Sequence, residues 1–222
     1  MNQSFQRARS PEHKELRRRM ILDAAARVLD RDGFNETSLN SIAQEAGVVK
    51  SGLYRYFESR EEILIELMLS DMQDMCDAFA QDVTEQLDVD RLAQITADCF
   101  VDRPRLCLLI SRMASTLEYN ITCETIRGFK RKMNECTDSV AASMNRAIPH
   151  WSLDDCHNAL RMQYVLVSGL FPMTCPPAHV KRVLDEPEFC SMSQEFEPAV
   201  RYATQAMFRG VDSIAMQRHS GV

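Results

Sequence analysis

The sequence predicts an all-α protein, with an N-terminal three-helix unit holding a helix-turn-helix and a larger helical bundle behind it. Three observations predict this. Glycine and proline are scarce, 7 and 8 in 222 residues, and long stretches lack both. Apolar residues recur at helical spacing along most of the chain, and no convincing period-two strand pattern is present. Short periodic segments broken by glycine fill residues 12–57, and longer ones follow. The composition, 45% hydrophobic and 26% charged, is ordinary for a globular chain with a real core.

Residues 1–11 are polar, end in Ser10-Pro11 and read as a flexible N-terminal arm. Helical pattern begins near Glu12. Leu16, Met20, Ala24 and Val28 recur at i+4, with Ile21, Ala25 and Leu29 beside them, as one buried stripe. Arg17, Arg18 and Arg19 crowd the other side. Gly33 suits the left-handed residue that closes a helix, and Phe34 then tucks into the same core. Thr37 or Ser38 caps a second, short helix, whose apolar face is Leu39, Ile42, Ala43 and Ala46. Gly47 breaks it, and a third short helix runs over 49–57 with Leu53 and Phe57 facing inward.

Ser59 with Glu62 at the third helical position forms a capping box. It opens a long helix over 60–87, lined on one side by Leu64, Met68, Met72, Met75, Phe79 and Val83. Further helical segments are read at 89–101, 104–118, 121–147, 152–175, 177–185 and 194–217, punctuated by prolines. Pro172 falls inside one of them and predicts a kink. The expected division is an arm over 1–11, a helix-turn-helix domain over 12–60, and a larger helical domain over 61–222.

The net charge is −6, which by itself argues against a nucleic-acid ligand. Its distribution points the other way. Residues 1–60 hold 11 Lys/Arg against 8 Asp/Glu, whereas the remainder holds 15 against 24. A basic head on an acidic body suits a protein whose head alone meets phosphates. The 8 cysteines all lie beyond residue 75 and include no C-x-x-C pair, so no metal site is expected. No secretory signal and no apolar run of membrane-spanning length is visible, so a cytoplasmic protein with reduced thiols and no membrane partner is expected. A cysteine acting as redox sensor is the alternative to cysteines acting as small hydrophobes.

The informative stretch is 38–57, SLNSIAQEAGVVKSGLYRYF. Gly47 sits where a tight turn strains any Cβ, and Ala43 lets the two helices approach. Lys50, Ser51, Gly52, Tyr54, Arg55 and Tyr56 are left facing out. This donor-rich set, with one position lacking a side chain, suits a helix in the DNA major groove. Gly52 costs about 1 kcal/mol of helix stability relative to Ala, which a purely structural helix has no reason to bear. Catalysis is not expected. Cys156 and His157 are the only adjacent Cys/His pair, and neighbours on a helix diverge by roughly 100°, which prevents a nucleophile–base pairing.

Residues 14–69 resemble the DNA-binding domain of the tetracycline-repressor (TetR) family. The resemblance rests on ILDAAARVLDRDGFNETSLNSIAQEAGV followed by GLYRYFESREEIL. It implies a sequence-specific transcriptional regulator, most commonly a repressor released from its operator by a small-molecule effector. An activator of the same fold and a non-DNA-binding helical adaptor are the alternatives. It assigns Ser38, joined by Thr37, to the cap of the second helix against a phosphate. It assigns Lys50, Ser51, Gly52 and Tyr54 to base recognition, and Tyr56 and Arg60 to phosphates. One departure is Val49, where the family usually places a Ser or Thr cap. Arg7, Arg9, Lys14, Arg17, Arg18 and Arg19 could add phosphate or minor-groove contacts.

One such head reads few base pairs, so a homodimer on a palindromic double-stranded DNA operator is expected, with half-sites about 34–36 Å apart. By the resemblance, 154–171 and 196–216 form a four-helix dimer interface. Ala199, Ala203, Ala206, Met207, Gly210, Val211 and Ile214 supply its small and apolar face. The resemblance also implies a cavity, for which Phe100, Met113, Leu117, Trp151, Met162, Tyr164, Phe171 and Met173 are the candidates. The expected effector is apolar or aromatic, and no cofactor is expected. Arg112 and Arg161 interrupt apolar stretches, where a buried arginine would want an acidic partner or an anionic ligand.

Overall fold

A computed structural model describes residues 11–219, and within them every regular element is helical. Helix α1 spans Pro11–Asp32, α2 Leu39–Glu45, α3 Lys50–Leu53, α4 Arg60–Asp82, α5 Val89–Val101 and α6 Pro104–Arg112. A short 3-10 turn at Leu117–Asn120 follows. Then come α7 Cys123–Ala147, α8 Leu153–Thr174, α9 Ala178–Leu184, a second 3-10 turn at Cys190–Met192, and α10 Phe196–His219. The arm expected over 1–11 lies outside the described residues, except for Pro11, which opens α1.

The boundaries depart from expectation in three places. Helix α3 has 4 residues instead of running to Phe57: past Leu53 the Arg55 and Tyr56 amides reach back only three residues, to Gly52 O and Leu53 O, so the chain continues as a turn, and Val49 at the N-cap offers no side-chain oxygen. Its apolar anchors are nevertheless in place, since the Tyr56 and Phe57 amides both donate to the Leu53 carbonyl. Helix α4 stops at Asp82, and the Leu87 amide instead donates to Ala147 O at the end of α7. The segment expected over 104–118 breaks after Arg112 and re-forms as the turn at Leu117. Pro172 lies within the last turn of α8, where little helix remains to be broken.

Three apolar clusters hold the chain together. In the head, Ile21 and Ala25 of α1, Ile42 and Ala43 of α2, Leu53, Phe57 and Ile63 pack as one unit. A middle cluster joins Leu29 and Phe34 to Leu64 and Met68 of α4 and to Leu106, Leu109 and Ile110 of α6, so the head is seated on the body. The body cluster gathers α4, α5, α7, α8 and α10 around the buried Trp151, which meets Phe208 edge-on and donates to Asp212 at 2.8 Å. The α1 stripe starts later than its spacing suggested. Leu16 and Met20 are exposed because α1 outruns the small head, whereas Ile21 through Leu29 supply the buried positions. Arg18 also turns inward, stacking over Phe57 at 4.3 Å and pairing with Glu66, rather than standing on the open face with Arg17 and Arg19.

Polar caps fix the long helices. Ser152 and Asp155 make a reciprocal capping box at the start of α8. Asp155 is buried and also accepts from Arg218 near the end of α10. The Arg218 guanidinium and the Ser152 donors hold the Asp155 carboxyl down at about 2. Its folded-state pKa is depressed, so its contribution is complete above the unfolded value near 4 and is lost as pH falls from about 4 to 2. Asp155→Ala is expected to cost about 1–2 kcal/mol at neutral pH and to flatten this acid limb in urea melts taken across that range.

Candidate nucleic-acid interface and body cavity

The turn between α2 and α3 is set by a Schellman closure. Gly47 has φ +64°, and the Val48 amide reaches back to Ala43 O at 3.0 Å. Ser38 caps α2: its hydroxyl accepts from the Ser41 amide, and the Ser41 hydroxyl accepts from the Ser38 amide at 2.8 Å. Ser38 is exposed, as are Lys50, Ser51, Tyr54 and Arg55, while Gly52 and Tyr56 are half-buried. The fold thus places six of the eight residues assigned to DNA on one small unit with accessible surface. A Cβ added at Gly52 would meet only Val49 Cγ2, at an ordinary 3.7 Å. Nothing inside the subunit requires a glycine there.

Thr37 and Arg60 require correction. Thr37 is fully buried, and its hydroxyl donates to Gly33 O at 2.8 Å, which pins the α1–α2 turn. Its side chain therefore faces no phosphate. Thr37→Val is expected to lower head stability by about 1–2 kcal/mol while leaving the salt dependence of DNA binding unchanged, read by parallel melting and titration. Arg60 donates to Phe34 O at 2.6 Å and stacks on the Phe34 ring at 4.5 Å. Burial lowers its pKa. Arg60 thus ties the start of α4 to the end of α1 rather than reaching outward. Arg112 covers the same ring at 5.4 Å, so Phe34 is shared by two cations from α4 and α6.

In the body, α4, α5, α7 and α8 line a cavity of about 340 Å³ that opens to the surface beside Arg161 and Val165 of α8. Helix α4 contributes Met72, Met75, Cys76 and Phe79, α5 contributes Thr96, Cys99 and Phe100, and α7 contributes Lys130, Met133, Cys136, Thr137 and Val140. Ile110 of α6 and Leu160, Arg161, Gln163, Tyr164 and Val165 of α8 complete it. The volume lies in the range of small-molecule sites, and the lining is mostly apolar with a few polar groups, as such sites require. Its two cations are Lys130, paired with Glu118 at 2.6 Å, and Arg161, which is exposed and donates to Asn158.

Of the candidate pocket residues, Phe100 and Tyr164 line this cavity. The others do not. Met113, Leu117 and Phe171 are packed in the middle cluster, and Trp151 in the body core. Met162 and Met173 face outward. Aromatic and methionine content alone could not separate wall from core. The better signal was the α4 stripe: Met72, Met75 and Phe79, already read as one face, form a wall of the cavity.

Burial raises the thiols of Cys76, Cys107 and Cys156 to about 12 and that of Cys99 to about 11. Such thiols stay protonated and unreactive at neutral pH. Cys123, Cys175 and Cys190 are exposed. A thiol reagent on the native protein is expected to label these three quickly, and Cys107 and Cys156, which are buried away from the cavity, only after unfolding.

The outer faces of α8 and α10 carry exposed apolar groups. Met162, Val165 and Met173 are exposed on α8, and Tyr202, Ile214 and Met216 on α10. Of the predicted dimer residues, Ala206, Gly210 and Ile214 are exposed, and Ala199 and Ala203 are half-buried. Val211 is buried in the subunit's own core, which corrects its assignment to a partner-facing surface, while Met207 is half-buried and packs against that core.

A head with a short exposed helix after a tight turn, set on a helical body with an apolar cavity, defines a helix-turn-helix protein. The family of bacterial regulatory proteins of the tetR type matches residues 21–67, and the tetracyclin repressor-like C-terminal domain matches residues 68–215. The chain belongs to the TetR family and is a DNA-binding transcriptional regulator. It is 33% identical over 66 residues to the fatty acid metabolism regulator protein of Bacillus subtilis, covering 30% of this chain and 34% of that one. The match thus spans about a third of that relative's length. It is 27% identical over 158 residues to the regulator BetI of Agrobacterium fabrum, covering 70% and 75%. The structure of the Bacillus subtilis regulator FadR in complex with stearoyl-CoA superposes with a TM-score of 0.53 at 18% identity, covering 86% and 96%. No helix among the described residues is long and apolar enough to cross a membrane.

Proposed function

We propose that this chain acts as a cytoplasmic homodimeric repressor that leaves its operator when a small, largely apolar molecule fills the body cavity. The observation that carries the reading is the double duty of α4. Its first turns pack into the head through Ile63, and about 18 Å further along it forms a cavity wall through Met72, Met75 and Phe79. A ligand that prefers one tilt of this helix biases the position of the head. Ser38, Lys50, Ser51, Gly52, Tyr54 and Tyr56 contact DNA, and the exposed apolar faces of α8 and α10 pair two subunits.

The effector has an apolar body held among the methionines and a polar or anionic end near Lys130 and Arg161. A fatty acid fits that description, in keeping with the relative named for fatty acid metabolism. Selection of bound sequences from a random duplex library, at two salt concentrations, tests the reading. A palindromic motif is expected, with half-sites about one helical turn apart. Failure to enrich any sequence at low salt would contradict it.

A further inference from the structure

The cavity holds one polar group that the subunit itself does not satisfy. Gln163 of α8 is 1% exposed and lines the cavity wall. Its Oε1 accepts from the Thr204 hydroxyl of α10 at 3.1 Å, and Thr204 is itself fully buried. Its Nε2 is buried with no hydrogen-bond partner. The hydroxyls of Thr96 and Thr137, which also line the cavity, are spent on the carbonyls of Leu92 and Met133. Thr204 occupies the amide oxygen, so the amide nitrogen is left to donate.

We propose that Gln163 is a specificity residue whose Nε2 donates to a carbonyl oxygen carried within the apolar part of the effector. The inference rests on the cavity being the effector site. It adds that a plain hydrocarbon chain is not the best ligand. A buried donor without an acceptor disfavours any occupant that cannot supply one, and a site built to hydrogen-bond discriminates strongly against analogues lacking the group. The matched chemistry is a keto, ester or thioester carbonyl. It sits against Gln163, while the polar end of the molecule lies toward Lys130 and Arg161.

The test uses the full chain and displacement of the dye 1-anilinonaphthalene-8-sulfonate. Probes are decanoate, methyl decanoate, decanoyl-coenzyme A, and the oxodecanoates and hydroxydecanoates with the carbonyl or hydroxyl moved along the chain. At least one carbonyl position is expected to bind about tenfold tighter than decanoate. Which probe gains separates an in-chain ketone from an ester or thioester carbonyl. Gln163→Leu is expected to abolish that preference while binding decanoate as well as or better than the wild type. Thr204→Val, which frees the amide to turn, is expected to reduce the preference without closing the cavity, and it keeps the proposal testable if Gln163→Leu fails to fold. Equal affinity for decanoate and every carbonyl probe would overturn the role of Gln163 and leave the cavity reading standing. A gain for hydroxydecanoates over oxodecanoates would overturn the donor role. No binding of dye or any probe would instead overturn the cavity reading itself.

Discussion

Gly52→Ala is expected to raise stability and lower DNA affinity in the same protein. Alanine exceeds glycine in helix propensity by about 1 kcal/mol, and the new Cβ meets nothing closer than Val49 Cγ2 at 3.7 Å. The subunit therefore gains. A recognition helix whose backbone lies close to a base or sugar loses, because the added methyl takes the space of the approach. Overpacking of this kind costs about 1–3 kcal/mol, so roughly tenfold weaker binding is expected for Ala and about a hundredfold for Gly52→Leu. Thermal melts and operator titrations on the same preparations check it. Undiminished operator affinity in Gly52→Leu would remove this position from the interface.

The second large effect is expected from filling the cavity. Val140 is buried on α7 and lines the cavity together with the α4 methionines. Val140→Trp puts an indole into the space reserved for the effector. Decanoate and dye binding are expected to fall at least a hundredfold, while operator binding stays within about threefold of wild type because the head is untouched. The variant would then hold its operator in the presence of the effector. A parallel loss of DNA binding would mean that the cavity is structural and that α4 cannot tolerate its filling.

Much of this was legible in the chain. Gly33 and Gly47 announced their turns because only a positive φ closes those helices, and both have one. Ile42, Leu53 and Phe57 are buried where their spacing placed them. Side chains with two competing partners were not legible. Arg60 and Arg18 read as surface cations, but an aromatic ring and a local acceptor lay within reach of each, and stacking won over exposure. Thr37 read as a cap beside Ser38, but the left-handed Gly33 turns its carbonyl toward the Thr37 hydroxyl. The cavity wall escaped for a related reason. Cys76, Cys99, Cys136 and Gln163 face it, and a cysteine on an apolar stripe looks the same in sequence whether it meets another side chain or an empty volume. Val211 and Ile214 sit three residues apart on one stripe, yet only Ile214 points away from the subunit.

The central claim is that cavity and operator are coupled through α4. Coupling is reciprocal, so it can be read from the ligand side alone. The affinity of the tightest-binding probe is measured by calorimetry on the free protein and on the protein saturated with its selected operator. Weaker ligand binding on the operator complex, by about tenfold or more and by the same factor that ligand weakens operator binding, is the predicted result. Identical ligand affinity in the two states would contradict the account.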